Sequence, residues 1–511
     1  MKRYVLVLLF FLTAAFIITW PLITNLNSLI IDRVDGLLIT WFLNWDIHVI
    51  LLGVKDWVDF YNANIFYPYK LTLAFSETML PQALIGLPFV LLLKEPLLAY
   101  NISLILGLAL TGFASYSLTK FLTKREAVSF FSGILFSFST IHLNYMAHLQ
   151  LFNFWPVVFA ILFLLQNRRL LFIFFFALAC LTTALNFYFL LTIIITYLFV
   201  AKKRLMVIKS ALGAIIVSVP FLLPYFFVSR QWHYARPISD AINFSLQFPD
   251  LANVSVMSRL SNFVFHQPGT PAYFGAVFLV LIFLMLRKTK LNFWLIAAAA
   301  SFILALGPAL HVFRNTIHIG PLPFIPLPYT VLYYLLPGFS GFRTPSRWII
   351  LTAFSLCVAI SIYFAKKITW RWAIILSALV ILEVNFPFKY FRVPARADFP
   401  PEQIWLKDNY IGAPIIQFPI YGWFDGDKIG VETLREYYST VHWHPMFNGY
   451  SGYSPTEWEE KVKWLQKNFP STETIKYLAD LRIKLVLAPS SWQIPLKSVA
   501  DFPNTKIYEI Y

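Results

Sequence analysis

The chain has 511 residues, of which 59% are hydrophobic and only 13% are charged, and this composition excludes an ordinary water-soluble globular protein. Its net charge of +16 does not indicate a nucleic-acid partner, because the cations stand in short loops beside long apolar segments, as on the cytoplasmic side of membrane proteins. Several of these segments contain the roughly 20 apolar residues that cross a bilayer as a helix.

The first apolar segment, residues 5–22, begins like a signal peptide but is predicted to be retained. No small-residue cleavage site follows it, and Trp20-Pro21 leads into a polar loop. Lys2 and Arg3 hold its start in the cytoplasm, so this helix exits on the outer face.

A long mixed stretch, residues 23–97, follows on the outer face. It contains an apolar, aromatic helix over residues 37–54, predicted to lie on the membrane surface, and a short apolar run over residues 80–93. That run carries two prolines and is predicted to be a juxtamembrane or re-entrant helix. If it crossed the membrane, the cations of residues 120–125 would lie outside and every later loop would be inverted, against the charge bias.

The charge bias then predicts a polytopic, mainly α-helical membrane protein with about eleven transmembrane helices. The ten helices after the first cover residues 100–122, 127–140, 152–165, 170–185, 187–201, 207–228, 271–286, 291–312, 346–365 and 372–388. Cys180 and Cys357 lie within these spans, so a disulfide, a thiol nucleophile and a zinc site are not expected.

The C-terminal part has a different composition, with more acidic and turn residues. Short β-like runs at residues 414–418 and 483–488 alternate with helical segments such as residues 458–468. We therefore predict two domains, a transmembrane domain over residues 1–391 and a small extracytoplasmic α/β domain over residues 392–511. A phosphate-cradling glycine loop is not found, which disfavours a nucleotide-driven transporter.

Two acidic residues follow the first helix in the run Asp32-Arg33-Val34-Asp35-Gly36. Asp35 directly precedes the predicted surface helix, so it is either an N-terminal cap or a catalytic base held beside lipid. Asp32 is either hydrated or paired with Arg33, or it shares the catalytic role.

The first outer loop contains three other polar residues that could carry a function. Glu77 precedes the run of residues 80–93 and is either an N-terminal helix carboxylate or a ligand contact. Asp46 and His48 lie within the predicted surface helix, where a solvated polar face is the better interpretation.

His142, His148 and Gln150 lie in the short outer turn between the third and fourth helices. The two histidines are six residues apart, which is not the spacing of a helical metal pair. Hydrogen bonding to a ligand is favoured, a divalent metal held together with Asp35 or Glu77 is an alternative, and a structural role is a third.

Arg343 and Arg347 lie on the predicted outer face and violate the charge bias, so anchoring of topology does not explain them. Thr344 is a predicted N-cap and Pro345 a predicted first helical residue, which would leave free backbone N–H groups between the two guanidinium groups. This pattern is typical of a phosphate-binding site. The alternative is that both side chains extend to lipid headgroups.

With these features the chain resembles the membrane-embedded GT-C glycosyltransferases, which carry an acidic residue in the first outer loop just after the first helix. It also resembles a set of bacterial membrane proteins with the runs "D..DG...TWFLNWDIH", "NANIFYPY....AFSE", "H.....HLQL" and "GFRTPSRW", and this likeness spans nearly the whole chain. The resemblance implies a polyprenyl-phosphate-linked sugar donor, an acceptor (glycan, lipid or protein) on the outer face, and a catalytic acid at Asp35 or, less directly, Asp32. The chain departs from protein O-mannosyltransferases, which carry an adjacent Asp-Glu pair, and lacks the Trp-Trp-Asp signature of oligosaccharyltransferases.

The sequence therefore predicts an inverting glycosyltransferase of the cell membrane that requires no cofactor, with a divalent metal at the acidic and histidine residues as an alternative. Asp35 would deprotonate the acceptor, and Arg343 and Arg347 would stabilise the departing lipid phosphate. The predicted sugar and acceptor contacts are Glu77, His142, His148 and Gln150, with residues 447–453 as either an aromatic contact loop or an ordinary turn. The alternative function is a non-catalytic or transporting protein for lipid-linked saccharides, such as a flippase; the position of the charges at helix ends favours chemistry at the interface.

Overall fold

The computed structural model describes residues 2–53, 57–232, 236–263, 269–312, 315–318, 320 and 323–510. Within them the chain is mainly helical, as predicted. The α-helices, in chain order, are α1 (Lys2–Ile18), α2 (Asp35–Leu52), α3 (Trp57–Phe60), α4 (Leu80–Leu93), α5 (Leu97–Thr123), α6 (Glu126–Ser137), α7 (Thr140–Leu143), α8 (Leu149–Phe152), α9 (Trp155–Leu165), α10 (Arg169–Thr182), α11 (Ala184–Val200), α12 (Arg204–Gln231), α13 (Ile238–Asn243), α14 (Ala276–Leu286), α15 (Phe293–Ala305), α16 (Pro328–Leu335), α17 (Ile349–Tyr363), α18 (Trp370–Glu383), α19 (Pro401–Asp408), α20 (Ile429–Ser439), α21 (Thr456–Asn468) and α22 (Thr472–Asp480).

The described strands are short. They are β1 (Leu29–Ile30), β2 (His311–Val312), β3 (Asn315–Thr316), β4 (Phe391–Arg392), β5 (Ile415–Gln417), β6 (Leu485–Pro489), β7 (Lys497–Asp501) and β8 (Thr505–Glu509). Four of them form one sheet in the order β5-β6-β8-β7, in which β5 and β6 are parallel and the other neighbours antiparallel.

Several helices are long and apolar enough to cross a membrane, which fits a membrane protein. By length and composition there are five in the described part of the chain: α2, α5, α12 and the segments Glu126–Leu143 and Pro345–Tyr363. Shorter apolar helices cover Leu80–Leu93, Leu149–Leu165, Arg169–Thr182, Ala184–Val200, Ala276–Leu286 and Phe293–Ala305. The number of eleven spans, and the side of the membrane on which each loop lies, stay predictions.

Several predicted helices differ from the structure at one end; for example, the helix predicted over residues 372–388 ends at Glu383. In two others a glycine with positive φ stands at the boundary. The helix predicted from residue 271 begins only at Ala276, because Gly275 adopts φ +104°. The helix predicted to reach residue 312 ends at Ala305, because Gly307 adopts φ +72° and a proline follows. A left-handed glycine with proline beyond it ends a helix, since proline lacks the N–H that the next turn needs.

The chain divides into two compact units, Met1–Thr24 with Leu104–Phe388, and Asn25–Ser103 with Lys389–Tyr511. In the first unit, α10 packs against α9 and α12, α15 packs on α17, and α6 packs on α17 and α18. The fully buried Phe11 of α1 lies over Gly112 of α5 and Gly133 of α6, where an added Cβ would collide with its ring. Small residues of this kind let helix backbones approach closely.

The second unit joins the first outer loop to the C-terminal region. Leu29 and Ile30 of β1 pair antiparallel with Arg392 and Phe391 of β4, and α2 packs against α20 and α4. The strands predicted at residues 414–418 and 483–488 are confirmed as β5 and β6. The helix predicted at residues 458–468 is confirmed as α21. The domain boundary after residue 391 remains a prediction.

The two glycines of residues 447–453 allow this loop to pack closely against the first outer loop within the second unit. An added Cβ at Gly449 would lie 2.9 Å from the Phe66 ring, and one at Gly452 would lie 2.9 Å from the Phe75 carbonyl oxygen. The Phe66 N–H also donates to the Asn448 carbonyl oxygen at 3.0 Å. The loop therefore holds the segment around Phe66 in place, which gives these glycines a structural reason.

Candidate functional site

The two acids of the first outer loop, Asp32 and Asp35, differ from the prediction in which of them caps the helix. Asp32 Oδ1 accepts hydrogen bonds from the N–H groups of Val34 at 2.8 Å and Asp35 at 2.7 Å, so Asp32 caps the turn that begins α2. The capping role predicted for Asp35 is wrong, as is the pairing of Asp32 with Arg33, whose guanidinium lies 5.2 Å from the centre of the Phe391 ring.

Asp35 is the first residue of α2 and is half-buried. The next residue, Gly36, packs closely on Ile30: an added Cβ would lie 2.8 Å from Ile30 Cδ1, so that side chain would have to shift. The buried Tyr100 interacts electrostatically with both Asp32 and Asp35. Asp32, and not Asp35, accepts from the N–H groups of Val34 and Asp35, and the role of Asp35 as a catalytic base stays a prediction.

Glu77 is half-buried and lies outside α4, whose first residue is Leu80 and whose N-cap is Met79 in a left-handed conformation, φ 55°. Glu77 thus stands three residues before the first residue of α4, and both of its predicted roles stay predictions. It lies in the second unit with Asp32 and Asp35, two residues beyond the Phe75 carbonyl that Gly452 approaches.

Asp46 contradicts the prediction of a solvated polar face. It is fully buried in α2, and neither carboxylate oxygen has a hydrogen-bond partner among the described residues. His48, two residues on, stacks on Trp443 with ring centres 4.4 Å apart. Burying an ionisable group without a partner is costly, so Asp46 either weakens the fold or serves a function.

We expect Asp46→Leu to stabilise the protein, because leucine removes the buried polar group and fills similar space. A gain on the order of 1 kcal/mol would raise the melting temperature of a chain of this length by about 1 °C. The matched control is Asn44→Leu, since Asn44 is also buried but donates to the carbonyl oxygens of Thr40 and Pro96, each at 2.8 Å. Thermal unfolding in detergent should separate the two; a fall in melting temperature for Asp46→Leu would contradict the prediction.

In the first unit, both arginines act electrostatically on His148. Burial, then Arg347 and Arg343, lower the pKa of His148 to about 3. The imidazole is therefore neutral at physiological pH, with one ring nitrogen to donate and one to accept. The Tyr145 ring lies edge-on to His148 at 6.4 Å, and the Arg343 guanidinium lies 4.7 Å from the centre of the Phe244 ring. Two cations beside a neutral imidazole form a site that favours an anion.

The backbone of this site differs from the prediction. Pro345 is the first residue of a 3₁₀ turn that leads into α17, as predicted, but Thr344 makes no capping hydrogen bond with its side chain. The N–H of Ser346 donates to the Phe244 carbonyl oxygen at 3.3 Å, and that of Arg347 donates to the Thr344 carbonyl oxygen at 3.2 Å. These N–H groups are not free for an anion, so the arginine side chains provide the positive charge.

His142 is placed for a structural role. It is fully buried, and its Nδ1 and Nε2 lie 2.8 Å and 2.9 Å from the carbonyl oxygens of Ser137 and Phe152. Its ring stacks on that of Phe152 at 4.7 Å. This histidine holds the turn after α6 together and has no exposed surface for a sugar.

Gln150 retains a free acceptor in the described structure. It lies in α8, is half-buried overall, and its buried Oε1 has no hydrogen-bond partner among the described residues. Buried acceptors are usually satisfied by a protein group or an ordered water. A hydroxyl donor from a ligand would satisfy this one equally well.

The predicted residues thus form two sets. Asp32, Asp35 and Glu77 lie in the second unit, and the first unit contains His142, His148, Gln150, Arg343 and Arg347. Among the described residues, no three His, Cys, Asp or Glu side chains come together as a metal site. The alternative of a divalent metal at the acids and histidines stays a prediction.

Sequence reasoning missed two buried acids of the second unit, Glu432 and Glu436. Glu432 is paired with Arg435 at 2.7 Å. Glu436 Oε1 accepts from the Tyr450 N–H at 2.6 Å, whereas its Oε2 is buried with no partner among the described residues. Burial, with a contribution from Glu432, raises the pKa of Glu436 well above its usual range.

Glu436→Gln should therefore stabilise the protein increasingly as the pH rises. The folded state keeps a proton on Glu436 that the unfolded state releases above about pH 4.5, so this residue's contribution is full below that pH and declines above it. Melting temperatures at pH 5, 7 and 8.5 should show a difference between variant and wild type that grows with pH. Glu432→Gln is the control: it leaves Arg435 buried without its partner and should cost about 3 kcal/mol. A pH-independent effect of Glu436→Gln would contradict this account.

A comparison with models of protein families found no match, and neither did a comparison with curated proteins. The residues of the candidate site therefore carry the functional argument.

Three site neighbours were also missed, and each lacked a distinguishing signal in the sequence. Tyr145 lies between the two predicted histidines, Phe244 lies about a hundred residues before the arginine that it contacts, and Tyr100 resembles any aromatic residue at a helix start. These three aromatic residues come near charged groups only when the chain is folded.

Proposed function

We propose that this chain is an inverting glycosyltransferase that transfers a sugar from a polyprenyl-phosphate-linked donor to an acceptor on the extracytoplasmic face of the membrane. The observation that carries the proposal is that Arg343 and Arg347 both act electrostatically on the neutral, half-buried His148. Within the described residues, Arg347 makes no ion pair or side-chain hydrogen bond. A partly buried guanidinium of this kind is stabilised by a bound anion, and planar guanidinium groups match the oxygens of a phosphate.

The reaction increases the negative charge at this phosphate. A lipid-linked phosphodiester carries one negative charge, and the departing monoester moves towards two as the sugar–phosphate bond breaks. Arg343 and Arg347 would stabilise the added charge more than the ground state, which is the condition for faster chemistry. Tyr145, whose pKa burial raises, stays protonated and can donate a hydrogen bond.

In this proposal Asp35 is the general base of the reaction. Its carboxylate takes the proton of the acceptor hydroxyl while that oxygen attacks the anomeric carbon, and the phosphate leaves from the opposite side, so the configuration inverts. Glu77, His148 and Gln150 would orient sugar or acceptor hydroxyls, and Asp32 would position Asp35. The topology that goes with it has about eleven spans and an extracytoplasmic C-terminal domain.

The test is a sugar-transfer assay on the full chain in lipid nanodiscs. A panel of radiolabelled polyprenyl-phosphate sugars is supplied with membrane extract as acceptor source, and label is followed from the lipid fraction into other products. Wild type should transfer at least one sugar, and Asp35→Asn and Arg347→Ala should each suppress transfer. Equal activity of all three proteins would refute the assignment.

A second candidate is transport of a lipid-linked saccharide. The buried Asp46 favours it, because transporters place ionisable groups within their helices, and α2 is long and apolar enough to span a membrane. A vesicle assay for movement of the lipid-linked sugar between leaflets distinguishes the two. Transport lost in Asp46→Asn, with no transfer in any protein, would select this candidate.

A further inference from the structure

A basic cavity lies in the first unit, and none of the candidate site residues lines it. It has a volume of about 910 Å³ and is lined by the start of α10, the end of the α11–α12 connection and the first turns of α12. Five of its lining side chains are cationic, and all five are exposed: Arg169, Lys202, Lys203, Arg204 and Lys209.

The positive charge of this cavity is not balanced by the protein. Among the residues that the structure describes, no carboxylate lines the cavity, and none of the five cations forms an ion pair with them. The side-chain hydrogen bonds of its arginines go to backbone carbonyl oxygens, from Arg169 to Lys209 at 3.5 Å and from Arg204 to Phe199 at 3.3 Å. Like charges gathered in a concave surface attract anions strongly.

Large apolar side chains stand next to these cations and are exposed. Leu170 is 82% exposed and follows Arg169, Leu205 is 65% exposed and follows Arg204, and Phe199 is 71% exposed. A soluble phosphate compound would use only the cations. An amphiphile with an anionic headgroup and hydrocarbon chains would satisfy both kinds of surface.

We propose that this cavity binds the headgroup of an anionic phospholipid, whose acyl chains lie along Leu170, Phe199 and Leu205. In the predicted topology the cavity faces the cytoplasm, where acidic lipids attract basic segments. The site is separate from the proposed transferase chemistry, so either assignment can fail without the other.

The test titrates the detergent-purified full chain with phosphatidylglycerol or phosphatidylcholine and counts bound lipids by native mass spectrometry. Wild type should retain phosphatidylglycerol preferentially. Each cation near an anionic lipid surface contributes about fivefold to affinity. The triple variant Lys202→Gln, Lys203→Gln and Lys209→Gln should therefore bind phosphatidylglycerol on the order of a hundredfold more weakly.

A control with the same loss of charge is available in the same unit. Arg287, Lys288 and Lys290 are exposed and do not line the cavity. Replacing all three by glutamine removes the same charge but none of the cavity's own cations, so it should weaken binding much less than the first triple variant does. An equal loss in both triple variants, or equal retention of both lipids by wild type, would overturn the proposal. The single variants Lys202→Gln and Lys203→Gln, each expected to lose about fivefold, give the same test with less change to the protein.

A further arm separates a lipid from a soluble phosphate. Leu170→Gln with Leu205→Gln should weaken phosphatidylglycerol binding about tenfold through lost apolar contact. Glycerol 3-phosphate should compete only weakly. Displacement of the lipid by equimolar glycerol 3-phosphate, together with no effect of the leucine variants, would assign the cavity to a soluble phosphate instead.

Discussion

Replacing Asp35 by asparagine is expected to lower the rate of sugar transfer about a thousandfold, within the range of 10²–10⁴ that a positioned general base contributes. Asparagine keeps the size of the side chain and its place as the first residue of α2, but it cannot accept the acceptor's proton. The measurement is a single-turnover assay in nanodiscs with saturating donor, so that binding does not limit the observed rate.

Asp32→Asn is the matched control for this prediction. An asparagine can still accept the hydrogen bonds that Asp32 receives from Val34 and Asp35, so transfer should fall by less than tenfold. Asp32→Ala removes the cap and should cost about 1 kcal/mol of stability, with a moderate loss of activity through displacement of Asp35. If Asp32→Asn were the inactive variant and Asp35→Asn the active one, the roles of the two acids would be reversed.

Arg347→Ala is expected to reduce kcat on the order of a hundredfold or more, the typical cost of removing one preorganised group that stabilises developing charge. The donor KM should change much less, because the guanidinium acts mainly on charge that appears as the phosphate leaves. Initial rates over a range of donor concentrations separate the two constants. Arg347→Lys should recover part of kcat, since it restores the charge without the planar pair of donors.

The control is Arg230→Ala. Arg230 is an exposed arginine of the same unit, and its guanidinium lies 5.3 Å from the centre of the Phe226 ring, much as Arg343 lies over Phe244. Its removal should leave both constants unchanged. A rise in KM alone for Arg347→Ala would show that this residue binds the donor without assisting the chemistry.

Apolar periodicity and turn residues predicted much of the fold. Helices such as α5, α11 and α12, and the strands β5 and β6, follow from runs whose length and composition favour one structure. Helix ends were less predictable, because the break at Gly307 depends on a left-handed backbone that one glycine allows but does not require. The pairing of β1 with β4 joins residues 29–30 to residues 391–392, and local sequence contains no signal for such a contact.

The candidate site was predictable in its residue types and less so in its contacts. The two arginines stood out because they violated the charge bias, and in the structure both act electrostatically on His148. Whether Asp32 or Asp35 caps the turn depends on the backbone conformation of residues 32–35, which brings the N–H groups of Val34 and Asp35 to the Asp32 carboxylate. The burial of Asp46 and Glu436 depends on tertiary packing, since helices with the same sequence pattern also occur with such residues facing water.

The second unit is built from two stretches of chain, residues 25–103 and residues 389–511, and this has a consequence for biosynthesis. At about 5–20 residues per second, the ribosome needs roughly 15–60 s to translate the intervening part of the message. During that interval the nascent first stretch lacks the partners it later finds around Met446 and Asn448. A membrane insertase or chaperone that shields this stretch would therefore raise the yield of folded protein, and a premature stop codon before the final stretch would leave the acidic loop permanently incomplete.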